Sequence, residues 1–117
     1  MNLKTDSEPD VCAEFRIELR PAESSNVLIL AGAINLDAAT RLREAALTAT
    51  TAARDVAIDW SEAGHVGAGA LQLLLALRAA LAGGGHLLDV ARDNPGVRHT
   101  LELAGLSGLF PVREAPE

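Results

Sequence analysis

Gly64–Ala82, GHVGAGALQLLLALRAALA, is the stretch around which the chain is organised. Three glycines and small residues lead into about four helical turns whose only polar side chains are Gln72 and Arg78. A surface helix buries one apolar stripe about 100° wide and turns charge to the other side. Ala70, Leu73, Leu74, Leu77 and Leu81 supply that stripe at helical spacing. Leu71 and Leu75, four residues apart, predict a second apolar strip beside it. A helix apolar nearly all round is either sunk in a core or open to a partner. A chain of 117 residues can cover few helices on every side, so the second strip is predicted to be a docking face.

The rest of the composition narrows the classes of function. The length suits one domain with a core that needs neither disulfides nor metal. Aromatic residues make up only 3% of the chain, so Leu, Ala, Val and Ile must build the core. The same scarcity removes the stacking platforms that single-stranded nucleic acids require. The net charge of −6 comes with no run of Lys or Arg, which argues against phosphate-backbone binding. Cys12 is the single cysteine; an internal disulfide is excluded and a reducing compartment fits. MNLKTDSEPD lacks the apolar core of a signal peptide. The long apolar helix carries Arg78 and stops at Gly83-Gly84-Gly85, short of the roughly 20 residues of a membrane span. A cytoplasmic protein with no membrane insertion is expected.

In chain order, residues 1–12 read as a flexible tail, 13–113 as one domain and 114–117 as a second short tail. Phe15-Arg16-Ile17-Glu18-Leu19 alternates as a strand with one face in water. Val27–Ala31 is a continuous apolar strand that Gly32 is expected to close. Leu36–Thr50, capped by Asn35 or Asp37, repeats Leu36, Ala39, Leu42, Arg43, Ala46 and Leu47 at helical spacing, with Arg41 and Glu44 pointing elsewhere. Asp55–Trp60 returns to strand character, followed by a glycine-containing loop and the organising helix. His86–Val90 is a further strand, and Asn94-Pro95 starts a short helix through Val97, Leu101 and Ala104 that ends at Gly105. Leu109–Val112 is a candidate last strand, held to an edge by Pro111. Strands that alternate with helices imply parallel pairing, with the first two strands free to run antiparallel.

No motif for catalysis emerges. Gly64–Gly69 follows a strand and opens a helix, where backbone N–H groups can receive an anion. It has neither the Lys-Ser/Thr of a phosphate loop nor the dinucleotide fingerprint. His65, His86 and His99 share no ligand spacing, so no metal and no cofactor is expected. Asp55, Asp59 and Glu62 read as solvated acids, and Ser61 is the one hydroxyl near the glycine loop, outside any nucleophile elbow.

The order of elements and several short stretches resemble the STAS domain, the fold of bacterial anti-sigma factor antagonists, from about Phe15 to Val112. The segments that carry the resemblance are Gly32-Ala33-Ile34-Asn35 running into Thr40-Arg41-Leu42-Arg43, then Ile58-Asp59-Trp60, Val66–Leu77 and Leu103-Ala104-Gly105-Leu106. The resemblance implies an α/β fold: a mixed four- to five-stranded sheet flanked by three or so α-helices. The family's diagnostic run is Asp-Ser/Thr-Ser/Ala-Gly-Leu, whose hydroxyl a partner kinase phosphorylates to break the complex. Here Gly67-Ala68-Gly69-Ala70-Leu71 stands in its place, so Ala68 occupies the phosphoacceptor position and cannot be phosphorylated. The family's Asp at the end of the second strand is Asn35.

By this resemblance the chain is not an enzyme but a signalling module that binds a protein partner, either a kinase-like anti-sigma factor or a protein of a related signalling cluster. The expected partner surface comprises Asn35, Gly67, Ala68, Gly69, Leu71, Gln72, Leu75 and Arg78, with weak homodimerisation left open. The alternative it offers is the cytosolic accessory subunit of a lipid-transport ABC ATPase.

Overall fold

The computed structural model describes residues 15–113; the predicted tails, Cys12 among them, lie outside the described residues. The elements are β1 (Phe15–Pro21), β2 (Asn26–Ile34), α1 (Leu36–Ala52), β3 (Val56–Val66), α2 (Ala68–Gly83), β4 (Leu88–Arg92) and α3 (Pro95–Ala104), followed by a short 3-10 turn at Ser107–Leu109. The sheet order is β1-β2-β3-β4. β1 runs antiparallel to β2, while β2, β3 and β4 are mutually parallel, as the alternation of strands and helices requires. This is the mixed sheet with three helices that the sequence implies.

Strand alternation sorts the sheet into two unlike faces. Ile17, Leu28, Leu30, Val56, Ile58, Trp60, Leu88 and Val90 are buried on one face. They form one cluster with Leu42 of α1, Leu74 of α2 and Leu101 of α3. The opposite face carries Arg16, Glu18, Arg20, Asp59, Asp89 and Arg92 in register. All three helices therefore cover the same side, and the charged side faces water.

Several boundaries differ from the sequence reading; the strand expected over His86–Val90 spans Leu88–Arg92. Gly32 does not close β2: its φ of +81°, which only glycine adopts without strain, accommodates a register shift, and the strand continues to Ile34. β3 likewise runs to Val66 rather than stopping at Trp60, because Glu62, Ala63, His65 and Val66 pair with Ala31, Gly32, Ala33 and Ile34. Long-range pairing outweighs the weak strand preference of Ala63 and Gly64. The candidate last strand is reduced to one bridge between Val112 and Val90, with Phe110 buried ahead of it.

One polar cluster ties α3 and the C-terminal segment to the sheet. Asn94 caps α3, its Oδ1 accepting from Gly96 N at 2.8 Å and Val97 N at 3.3 Å. Its amide nitrogen donates to the carbonyls of Trp60, Ser61 and Ala63 at 3.3, 3.2 and 2.8 Å, the part of β3 where the register shifts. Trp60 donates from its indole N–H to Asp93 Oδ1 at 2.8 Å, and Arg98 donates to Asp93 Oδ2 at 3.1 Å. Arg98 also donates to the carbonyls of Ser107 and Phe110. Trp60 packs on Phe110 with ring centroids 5.8 Å apart.

Burial raises the Asp93 carboxyl, but the hydrogen bonds from Trp60, Arg98 and the Asn94 backbone, with the Arg98 charge, outweigh it and hold the pKa below the ordinary value. A depressed folded pKa means that the unfolded chain binds the proton first as pH falls. The stability from this group is then whole above about pH 4 to 5 and is lost as pH drops further. Asp93→Asn should cost about 1–2 kcal/mol at pH 7. Urea unfolding followed by Trp60 fluorescence should show the gap from the parent protein narrowing from pH 6 to pH 3. A gap constant across that range would rule out an ionised Asp93 in this role.

Candidate functional site

Parallel pairing brings two helix starts together. Ile34 and Val66 end β2 and β3 in register, and Gly67 N donates to Ile34 O at 2.9 Å. Asn35 then caps α1 and Gly67 caps α2, side by side at the carboxyl ends of parallel strands. Open α/β sheets commonly place binding sites there.

The two caps differ in chemistry. Asn35 Oδ1 accepts from Asp37 N at 3.0 Å and Ala38 N at 3.4 Å, so its side chain is engaged in capping. Gly67 offers α2 no side-chain cap, and the first turn of α2 has no acidic residue. The positive end of the α2 dipole is left uncompensated at the surface. Gly67 has φ −77°, open to any residue. A Cβ there would meet Ile34 O at 3.5 Å and His65 Nε2 at 3.6 Å, ordinary contact distances. The backbone thus tolerates a side chain at this position that the chain does not carry.

The residues named from sequence divide along α2. Ala68, Gly69, Gln72 and Arg78 are exposed. Leu75 is half-buried and packs against the core. Leu71 is 6% exposed and belongs to the core cluster, so the expected free strip of Leu71 and Leu75 does not exist. Leu71 stands three residues before Leu74 and joins the buried face of Ala70, Leu74, Leu77 and Leu81, and α2 has neighbours on both flanks. On one side Leu73, half-buried rather than core, meets α1 in a groove of about 270 Å³ lined by Arg43, Leu47 and Ala80. On the other, Arg78 and Ala82 line a cavity of about 150 Å³ with Gly108 and Pro111. The outward face of α2 is left to Ala68, Gly69, Gln72, Ala76 and Ala79, all exposed.

Two leucines of α1 are exposed where the periodicity predicts a shared apolar face. Leu36 is 84% exposed beside the paired helix starts, and Leu47 is 54% exposed. The helical spacing of Leu36, Ala39, Leu42, Ala46 and Leu47 groups both with Leu42 on one face. The observed stripe is Ala38, Leu42, Ala45, Ala46 and Ala49. At about 100° per residue, Leu36 and Leu47 lie roughly 160° and 180° from Ala38, on the side of α1 opposite this buried stripe.

The remaining polar candidates do not converge on this site. Ser61 Oγ donates to Asp59 Oδ1 at 2.7 Å on the open sheet face, where both line a shallow cavity of about 180 Å³ with Arg16, Arg20 and Arg92. Both residues lie within β3, not in a loop. Asp55 Oδ1 accepts from Leu87 N at 2.9 Å and faces His86 Nδ1 at 3.7 Å. His65 sits exposed at the end of β3 and His99 on α3. Among the described residues no three His, Cys, Asp or Glu side chains form a metal-holding group, and no helix is long and apolar enough to cross a membrane.

The family model described as "Mlab, STAS domain" matches residues 17–112. The chain belongs to the STAS domain family. Its fold is similar to that of an anti-sigma factor antagonist from Mycobacterium paratuberculosis, with a TM-score of 0.76 and 23% identity over 93% of this chain and 91% of that one. The anti-sigma factor antagonist SpoIIAA in its unphosphorylated form superposes with a TM-score of 0.71 and 16% identity over 85% of this chain and 89% of the other. The phosphorylated Bacillus cell fate determinant SpoIIAA gives 0.66 and 15% over 85% and 92%. At these identities the likeness establishes a shared fold. Comparison with curated protein sequences yields no match.

Because the N-terminus of this STAS domain's α2 is uncapped, Gly67→Asp should stabilise it by about 0.5–1 kcal/mol through capping, dipole compensation and lost unfolded-state freedom. Denaturant unfolding at low salt measures this; a destabilised variant would show that the cap position is not free to accept a side chain.

Proposed function

We propose that this STAS domain is a non-catalytic docking module that binds a regulatory protein through the start of α2 and the adjoining start of α1, without a phosphorylation switch. The observation that supports this most is the chemistry of the exposed α2 face. Gly67, Ala68 and Gly69 bear no hydroxyl or carboxylate, and Leu36 stands exposed beside them. Small side chains let a partner's backbone approach closely, and an exposed leucine next to them supplies apolar area to bury. Gln72, also exposed, adds a hydrogen-bonding group that needs no counter-charge.

A phosphate at this position would add about −1.5 to −2 charge and oppose docking by desolvation and repulsion. Ala68 cannot accept one, so the module is constitutive or is governed elsewhere, for instance by abundance. Its partner is then a kinase-like anti-sigma factor, bound without being able to phosphorylate this loop. The absence of a hydroxyl at Ala68, Gly69 and Ala70 also suits a second reading, a permanent accessory subunit of a lipid-transport ATPase, in which a release switch has no use.

Ala68→Glu tests the docking surface. It places a carboxylate in the first turn of α2, which the helix dipole favours, so the melting temperature should hold or rise slightly. Partner binding should fall about 30-fold or more, since an unpaired buried charge costs about 2 kcal/mol or more. Affinity capture from the native host with both forms, followed by mass spectrometry, should show one protein lost with the variant. A kinase fold would favour the antagonist reading and an ATPase subunit the transport reading. Incubating the captured kinase with the unmodified chain and ATP should leave no phosphate between His65 and Leu71. Equal capture by both forms would place the docking surface elsewhere.

A further inference from the structure

The two edges of the sheet are finished differently. The outer edge of β4 is covered by the C-terminal segment: Val90 N donates to Pro111 O at 2.8 Å and Arg113 N donates to Val90 O at 2.7 Å. Among the described residues β1 is paired on one side only, with β2. An open edge presents a row of backbone donors and acceptors that invites another strand. Along β1, Phe15, Ile17 and Leu19 point to the helix-covered face, and Arg16, Glu18 and Arg20 to the solvent face. Phe15 and Leu19 are only half-buried, although both lie against the core.

We propose that β1 is a self-association edge, on which a second copy of this chain pairs antiparallel about Ile17 to form one continuous eight-stranded sheet. The choice of a second copy rests on charge and apolar complementarity in that register. Centred on Ile17, Arg16 of each copy lies opposite Glu18 of the other, and Phe15 lies opposite Leu19. Opposite charges directly across an antiparallel pair are favourable, and like charges are not. A register centred on Glu18 sets Arg16 against Arg20 and Glu18 against itself. A one-residue slip sets Phe15 against Arg20 and Ile17 against Glu18, mixing the two faces. Centring on Leu19 restores Glu18–Arg20 pairs but brings in Pro21, which has no N–H to donate. The Ile17 register alone keeps the charges matched, the faces sorted and the paired backbone free of proline. An isologous two-fold contact of this kind closes at two copies.

A charge swap tests the register. The full chain should sediment as a concentration-dependent monomer–dimer mixture. Arg16→Glu and Glu18→Arg should each shift it to monomer, because each sets like charges opposite one another at two symmetry-related points. The combined Arg16→Glu and Glu18→Arg variant should dimerise again. Circular dichroism and Trp60 fluorescence check that each variant is folded. Hydrogen exchange on the unmodified chain gives an independent reading, with β1 amides slowing as concentration rises. A chain that stays monomeric through the series, single variants that dimerise as the parent does, a combined variant that stays monomeric though folded, or β1 amides indifferent to concentration would each overturn the proposal.

Discussion

The parallel pairing of β2 with β3, closed by the Gly67 N–H bond to Ile34 O at 2.9 Å, is the constraint on which the site depends. Each strand delivers its chain to the same end of the sheet, and each chain turns at once into a helix. One residue, Asn35 or Gly67, separates strand from helix in each case, so the two helix starts have little freedom to separate. The long-range cost of holding β3 straight through Ala63, Gly64 and His65 is met by pairing with Ala31–Ile34 and by Asn94 donating to three of its carbonyls. An aspartate would cap α3 as well as Asn94 does but could donate to none of them.

Much of this frame is legible in the sequence because it rests on local chemistry. Asn35 and Asn94-Pro95 mark helix starts by capping, and Gly105 at φ +74° ends α3 as a left-handed C-terminal glycine does. Alternation in Phe15–Leu19 and the apolar run Val27–Ala31 identify an edge and an interior strand. The parts that are not legible depend on neighbours. Nothing local in Ala63-Gly64-His65 signals a strand, since its partner lies some thirty positions earlier across a crossover. Leu71 is identical in type to Leu75, yet Leu71 is buried and Leu75 half-buried, a difference that residue type does not carry. The exposure of Leu36 and Leu47 follows once the alanine-rich stripe through Ala38 is known to be the buried one, and the sequence offers the leucine-bearing face as a rival of equal periodicity.

The site itself is legible mainly by what it lacks. The run Gly67-Ala68-Gly69-Ala70-Leu71 carries no hydroxyl and no carboxylate. The structure gives that absence a physical meaning. The α2 N-terminus is uncapped and solvent-facing, and its outward face is built of alanine, glycine and glutamine. Arg16, Glu18, Arg20, Asp59, Asp89 and Arg92 stand on the opposite sheet face, and Asp93 is held by Trp60 and Arg98 beside α3.

We propose that the partner seats on the joined starts of α1 and α2. Leu71 N makes the first helical bond of α2, to Gly67 O, so the preceding amides of α2 have no intrahelical acceptor. They should exchange quickly in the free chain. Hydrogen–deuterium exchange on the chain with and without its captured partner reads this directly. Docking there should slow exchange at Leu36 and across Ala68–Gln72 and leave the charged sheet face unchanged. Protection on the face of Arg16, Asp59 and Arg92, with none at the start of α2, would contradict it.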